Sequence, residues 1–142
     1  MNEIRIINLH SRPLGPTIIY FLKEARFSGK EMAPLTYDTR LFHDLDLFGD
    51  TAEDVLEILQ REFHVDMSPF KFDKYFPTEL SKDVQYIDKL NTFLFFKLNV
   101  IARKYFINTK DKVDKIYENY APITLRMIEM SIMKKRWVDS IE

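Results

Sequence analysis

Apolar residues recur at helical spacing along most of the chain, and this pattern predicts a mainly α-helical protein. The first helix is expected to begin at Pro16, because proline favours the first turn of a helix, and to end before Ser28. An alternation of polar and apolar residues over residues 3–9 is compatible with a short N-terminal strand. The predicted inner face of the first helix consists of Ile18, Ile19, Leu22 and either Ala25 or Arg26.

A second helix is predicted to follow a long ordered loop over residues 30–50. Thr51 is a suitable N-cap residue for it, and acidic residues in its first turn suit the positive end of the helix dipole. The segment from Val65 to Pro77 contains two prolines and four aromatic residues, so we expect it to fold irregularly over the core. The predicted apolar face of the helix consists of Ala52, Val55, Leu56, Leu59 and Phe63.

The second half of the chain predicts one long helix followed by two shorter ones. Ser81 is the expected N-cap of the long helix, which reaches Tyr105. A short helix is predicted around Tyr117, and Pro122 separates it from a last helix that Thr124 caps. The inner face of that last helix is expected to hold Leu125, Ile128 and Ile132.

The long helix carries two apolar stripes, and they leave two explanations open. Either the rest of the chain covers both stripes, or one of them pairs with its copy in a homodimer. The stripes are led by Leu94, Leu98 and Ile101 and by Phe93, Phe96 and Val100.

The composition excludes several classes of protein. The 142-residue chain contains no cysteine, which excludes disulfides, thiolate metal sites and a cysteine nucleophile. Its 3 glycines are too few for a glycine-rich phosphate loop, and its net charge of -1 argues against nucleic-acid binding. The longest apolar run, residues 93–102, is shorter than the roughly 20 residues of a membrane span, and the first ten residues lack a signal peptide's apolar stretch. We therefore expect one cytoplasmic domain without a membrane span.

Charge is distributed unevenly along the chain. Residues 1–79 contain 9 Lys and Arg against 14 Asp and Glu, whereas residues 80–142 contain 12 against 8. Between Asp38 and Asp66, 9 acidic residues accompany 2 arginines. The acidic stretch is either a solvated helix face or a docking surface for a basic partner.

No specific catalytic or metal-binding pattern is present in the sequence. His10, His43 and His64 are not spaced as metal ligands, and each is expected to be hydrogen-bonded or solvated. The segment from Asp44 to Gly49 begins like a calcium loop, but apolar residues stand at two of its ligand positions. We therefore expect no catalytic residue, no metal site and no cofactor.

A run of motifs before and within the second helix has the order and spacing of a known family. Thr36 and Thr39, the Asp44–Leu45 turn and the Glu62–Phe63 end of the acidic helix follow one another without a gap. The string LTYDTRLFHDLDLFGDTAEDVLEILQREF thereby resembles the central region of an acyl carrier protein. The resemblance implies a helical bundle of the acyl-carrier type and an acidic helix that contacts partners.

The same resemblance aligns Gly49 with the serine to which phosphopantetheine is attached in a carrier. Phe48 and Asp50 replace the aspartate and the leucine that flank this serine, and Asp46 replaces the glycine of the turn. Glycine has no hydroxyl group, so the chain lacks the atom that is modified in an acyl carrier.

The variant pattern G-D-x-A-E from Gly49 to Glu53 narrows the match. It resembles a bacterial family of unknown function with an acyl-carrier-like fold. Three further pieces agree with that family: F-x-V-D at Phe63–Asp66, the aromatic run Phe70–Glu79 and the closing segment Pro122–Trp137. The resemblance brings no established activity with it.

Together these observations predict one acyl-carrier-like domain over residues 1–142. Its carrier-motif core is residues 35–79, residues 80–120 are a helical insertion, and residues 121–142 contain the C-terminal helix. The leading function is a non-enzymatic module that docks an unidentified basic protein. The alternative is an acyl or lipid carrier that is modified at another site or binds its cargo non-covalently. The predicted partner-binding residues are Asp50, Glu53, Asp54 and Glu57.

Overall fold

The regular elements of the protein are helices joined by irregular segments. A computed structural model describes residues 12–77, 85, 87 and 114–139. In these parts of the chain residues 114–118 are also helical, and the β-type pairings are two isolated bridges, so the prediction of a mainly α protein is confirmed. The helices are α1 (Pro16–Glu24), α2 (Gly29–Met32), α3 (Gly49–Phe63), α4 (Phe72–Tyr75) and α5 (Leu125–Lys134).

Helices α1 and α5 form where the apolar periodicity predicts them. Pro16 occupies the first turn of α1. At the start of α5, the Thr124 hydroxyl accepts a hydrogen bond from the backbone N–H of Met127 at 3.2 Å, as expected for an N-cap residue. Helix α1 contacts both α3 and α5. The side chains that these two helices bury are Ile18, Phe21, Leu22, Leu125, Met127, Ile128, Ser131 and Ile132.

The prediction of a loop over residues 30–50 was wrong at its start, where the short helix α2 forms. The Ser28 hydroxyl accepts from the backbone N–H of Glu31 at 3.1 Å, and the Glu31 carboxylate accepts from the backbone N–H of Ser28 at 3.1 Å. The hydrogen bond from the Ser28 backbone holds the pKa of the Glu31 carboxyl below its ordinary value. This reciprocal capping box satisfies two backbone donors, and its S-x-x-E spacing was a sequence signal for the helix.

Helix α3 begins earlier than the prediction of Thr51 as its N-cap. The N-cap is Phe48, whose side chain makes no capping hydrogen bond. Gly49 follows with a φ of 55°, in the left-handed region that favours glycine. The backbone N–H of Gly49 donates to the carbonyl oxygen of Pro77 at 3.3 Å. A backbone carbonyl distant in sequence therefore accepts a hydrogen bond at the start of α3, where a side-chain cap was expected. The buried residues of α3 are Gly49, Ala52, Val55, Leu56, Ile58 and Leu59.

The segment after α3 is irregular and aromatic, as predicted, and contains α4 as a single turn. The ring of Phe70 stacks on Tyr75 with the centroids 5.2 Å apart and the planes at 10°. The edge of Trp137 meets the same Phe70 ring at 5.0 Å. These ring contacts join the segment to the residues that follow α5.

The residues after α5 are bonded to the end of α3. The Lys135 ammonium donates to the carbonyl oxygen of Phe63 at 2.9 Å and satisfies an acceptor at the carboxyl end of α3. The backbone N–H of Asp66 donates to Lys135 O at 2.9 Å, and the N–H of Trp137 donates to Asp66 O at 3.0 Å. The core is therefore completed by residues from distant parts of the sequence.

Several predictions concern residues outside those that the structure describes. This group contains the N-terminal strand over residues 3–9, His10, and the long helix from Ser81 to Tyr105, within which the structure describes residues 85 and 87, both helical. The same holds for most of the predicted insertion, residues 80–120, and for a homodimer through the long helix.

Candidate functional site

The four predicted partner-binding residues lie on α3 with exposed side chains. Asp50, Glu53, Asp54 and Glu57 are on the solvent side of a helix whose other side is buried in the core. Among the described residues, the ion pairs within 4.0 Å involve other carboxylates, so these four have no cationic partner there. We call this set the acidic face. It presents to solvent four carboxylates that form no ion pair with a described residue.

One side of the acidic face borders an apolar groove of about 240 Å³ between α3 and residues 67–72. We call it the aromatic groove. Glu53 and Glu57 are at its rim, and its apolar lining consists of Leu56, Met67, Phe70 and Phe72. Sequence reasoning missed this groove, because the lining comes from a helix and from an irregular segment whose path the periodicity does not predict.

The other side of α3 borders a larger cleft of about 520 Å³, which we call the polar groove. Asp54 and Glu57 line it together with Arg26 and Arg61. The polar groove is lined by both cationic and anionic side chains. In the aromatic groove, the only charged lining residues among those described are glutamates. The two sides of α3 therefore differ in what they can attract.

Gly49, which the resemblance aligns with an attachment serine, is buried at the start of α3. Its φ of 55° is costly for a residue with a side chain, and its N–H is engaged by the carbonyl of Pro77. A hydroxyl introduced here would be buried at a strained backbone position. The site lacks the serine, and its backbone also disfavours one.

Asp44, which the resemblance aligns with the turn before the attachment site, has its oxygens occupied by Arg40. The carboxylate accepts from Arg40 Nε at 3.0 Å, from Nη2 at 2.9 Å and from the backbone N–H at 2.8 Å. The side-chain hydrogen bonds from Arg40 hold the pKa of the Asp44 carboxyl below its ordinary value. Asp44 is thus a structural partner within the loop, distinct from the acidic face.

A second polar cluster joins the same loop to residues 114–120. The Tyr117 hydroxyl donates to Asp46 Oδ1 at 2.7 Å. The pKa of Tyr117 is raised above its ordinary value, first because the hydroxyl is partly buried and second because of this hydrogen bond. His43 Nε2 lies 2.8 Å from Tyr117 O and 3.1 Å from Tyr120 O, whereas its buried Nδ1 has no hydrogen-bond partner among the described residues. The expectation of a hydrogen-bonded histidine is met at one ring nitrogen. About 70 residues of sequence separate the two sides of this cluster, so no local sequence pattern predicts the cluster.

The described residues contain no group of three or more His, Asp or Glu side chains placed to hold a metal ion. A search of the same residues finds no helix with the length and hydropathy of a membrane span.

Comparison with known proteins places part of the chain in a described family. No curated protein and no solved structure matches the chain. The family described as "Protein of unknown function (DUF1493)" matches residues 17–93, which include all of α1 except Pro16, α2 to α4 and the whole acidic face, whereas α5 lies beyond the match. Because the match spans more than half of the 142 residues, the chain belongs to the DUF1493 family.

Proposed function

We propose that the protein is a non-enzymatic interaction module that docks a basic protein partner through its acidic face. The observation that carries the proposal is the set of four exposed carboxylates on α3 without a cationic partner among the described residues. An isolated exposed ion pair contributes only about 0–1 kcal/mol, so such a face steers and orients a partner more than it holds it. The expected interaction is transient and weakened by salt.

The acyl-carrier resemblance is the second part of the proposal. We infer a carrier-like fold that has kept the acidic contact helix and given up covalent loading. Gly49 supports this inference, because it has no hydroxyl and its backbone is buried at a φ of 55°. An intact-mass measurement after incubation with a phosphopantetheinyl transferase and coenzyme A is expected to show no added mass. An adduct on any serine, Ser28 and Ser68 included, would support the alternative of a carrier modified at another site.

The docking proposal is tested by removing the charge of the acidic face without reversing it. The variant is Asp50→Asn, Glu53→Gln, Asp54→Asn and Glu57→Gln. Its matched control removes four exposed carboxylates elsewhere, at Asp73, Asp114, Glu118 and Asp139.

Affinity capture from an extract of the expressing cells, followed by quantitative mass spectrometry, compares the three proteins. Basic proteins are expected to be retained by the wild type and the control, lost from the acidic-face variant, and released by about 0.5 M salt. If the same proteins are retained by the wild type and the acidic-face variant, the proposal is wrong.

A further inference from the structure

We infer that the aromatic groove is the recognition site for a basic amphipathic helix of the partner. In this arrangement a large apolar side chain of the partner enters the groove, while Lys or Arg residues one turn apart on the same helix pair with Glu53 and Glu57. The inference rests on the proposed function and narrows it to one side of α3 and one class of partner.

The size of the groove fits an anchoring side chain better than a small molecule. Its volume of about 240 Å³ lies below the roughly 300–1,000 Å³ of ordinary ligand pockets. Protein partners commonly place one or two large side chains in such a depression and obtain much of their binding energy there. Apolar side chains at one-turn spacing on a helix are a standard way to fill a groove of this kind.

The walls of the groove are held in place before any partner arrives. Phe70 belongs to a cluster of three rings in mutual contact, with Phe70–Tyr75, Phe70–Trp137 and Tyr75–Trp137 centroid distances of 5.2, 5.0 and 5.6 Å. Phe72 packs against the buried ring of Phe76 with the centroids 5.2 Å apart. A preformed groove lowers the entropic cost of binding, because the rings do not have to be ordered by the partner.

The charge at the rim selects the occupant. Glu53 and Glu57 are four residues apart on α3, so their Cβ atoms are about one helical turn, roughly 5–6 Å, from each other. Two cationic side chains one turn apart on a partner helix can therefore meet both carboxylates. The carboxylate of a fatty acid would be repelled at the same rim, which disfavours an acyl cargo.

The polar groove supplies the matched control on the other side of the same helix. Asp54 and Glu53 are both exposed, but Asp54 lines the polar groove, which also contains Arg26 and Arg61. A basic helix placed there would meet these two cations as well as the carboxylates of Glu24, Asp54 and Glu57, so the attraction is partly cancelled. Reversing the charge of Glu53 should therefore matter more than reversing the charge of Asp54.

The experiment uses a fluorescein-labelled 14-residue amphipathic helix of lysine and leucine, with its glutamate and leucine counterpart as the negative probe. Fluorescence anisotropy at low salt measures binding to the full chain. The lysine probe is expected to bind and the glutamate probe is not. Glu53→Lys should weaken binding of the lysine probe about tenfold, and Asp54→Lys by less than about threefold.

The apolar part of the groove is tested by Met67→Gln, which leaves the charge unchanged. Met133→Gln is its control, because Met133 is 70% exposed on α5 and outside the groove. We expect about tenfold weaker binding for Met67→Gln and no change for Met133→Gln. Circular dichroism checks that each variant is folded, and Met67→Thr replaces Met67→Gln if the latter unfolds.

The outcomes separate the inference from the function on which it rests. Equal weakening by Glu53→Lys and Asp54→Lys, with Met67→Gln binding like the wild type, overturns the groove as the recognition site and leaves docking by the acidic face intact. If the lysine probe does not bind, or if no charge reversal on α3 weakens its binding, both the groove inference and docking by the acidic face are overturned. Binding of palmitate together with failure of the lysine probe supports a lipid carrier instead.

Discussion

The loop before α3 and the acidic face of α3 belong to the same acidic stretch of sequence, but they use their carboxylates in different ways. In the loop, Asp38 and Asp44 pair with arginines at 3.0 and 2.9 Å, and Asp46 accepts a tyrosine hydroxyl at 2.7 Å. The four carboxylates of the acidic face have no such partner among the described residues, whereas Glu62 at the end of α3 pairs with Arg61. The first set attaches the loop to the rest of the molecule, and the second set leaves negative charge open to solvent. The net charge of a sequence window does not distinguish these two uses.

The largest expected effect is at Gly49, on the boundary between the two regions. Gly49→Ser should lower the free energy of unfolding by about 2 kcal/mol, because a φ of 55° is costly for serine and the new hydroxyl is buried. Gly29→Ser is the control, since a Cβ at Gly29 meets no atom within 4 Å. Urea unfolding followed by circular dichroism measures both, and equal losses would show that the backbone of Gly49 is not special.

The loop half of the comparison is tested at Asp44. Asp44→Ala should lower the free energy of unfolding by about 1 kcal/mol, because three hydrogen bonds from Arg40 are lost and solvent screens part of their strength. The control is Asp54→Ala on the acidic face, with an expected change below about 0.5 kcal/mol. If both substitutions lower the free energy of unfolding equally, the carboxylates of the loop and of the acidic face do not differ in their contribution to stability.

The pH dependence of stability should follow the same division. Arg40 holds the pKa of Asp44 below its ordinary value, so the ionised carboxylate is favoured in the folded state. Its contribution is complete above the unfolded pKa of about 4 and is lost as the pH falls through the lower folded pKa. The stability difference between wild type and Asp44→Ala should therefore be constant from pH 7 to 5 and shrink below pH 4. A difference that stays constant down to pH 2 would contradict this assignment.

The smallest expected effect concerns repulsion within the acidic face. Glu53 has Asp50 three residues before it and Glu57 four residues after it, so it has like charges on both neighbouring turns of α3. Glu53→Gln should raise the free energy of unfolding by about 0.3 kcal/mol at low salt, because repulsion on the helix surface is relieved. The gain should vanish in about 1 M salt. Thermal unfolding at both salt concentrations measures it, with Asp73→Asn as an exposed control.

The helices with a strong apolar period were predictable from the sequence, because the period is a local property of the chain. Pro16 and Thr124 mark the starts of α1 and α5 by chemistry that acts within one turn. The start of α3 was not predictable in the same way, since its first N–H bonds to Pro77, 28 residues further along the chain. A backbone contact of this range has no residue signature.

The acidic residues of α3 were recognised from the sequence, whereas the features that give the site its shape were not. The aromatic groove depends on where an irregular segment places Met67 and Phe70. The division of the acidic stretch depends on Arg126 reaching Asp38, 88 residues away in sequence. Such contacts follow from the packing of the whole fold, and charge counting along the chain does not contain them.

The packing of α5 against elements that are synthesised earlier also has a consequence for biosynthesis. The end of α3 at Phe63 leaves the ribosome about 70 residues before the end of α5 at Lys134. At roughly 5–20 residues per second, the apolar side of α1 waits roughly 4–14 s after α3 is made for the helix α5 that packs against it. During that interval Ile18, Phe21 and Leu22 are available to chaperones and to other nascent chains. Ribosome-bound chains stopped at residue 120 should accordingly be cleaved by protease much faster than released chains that contain all of residues 1–142.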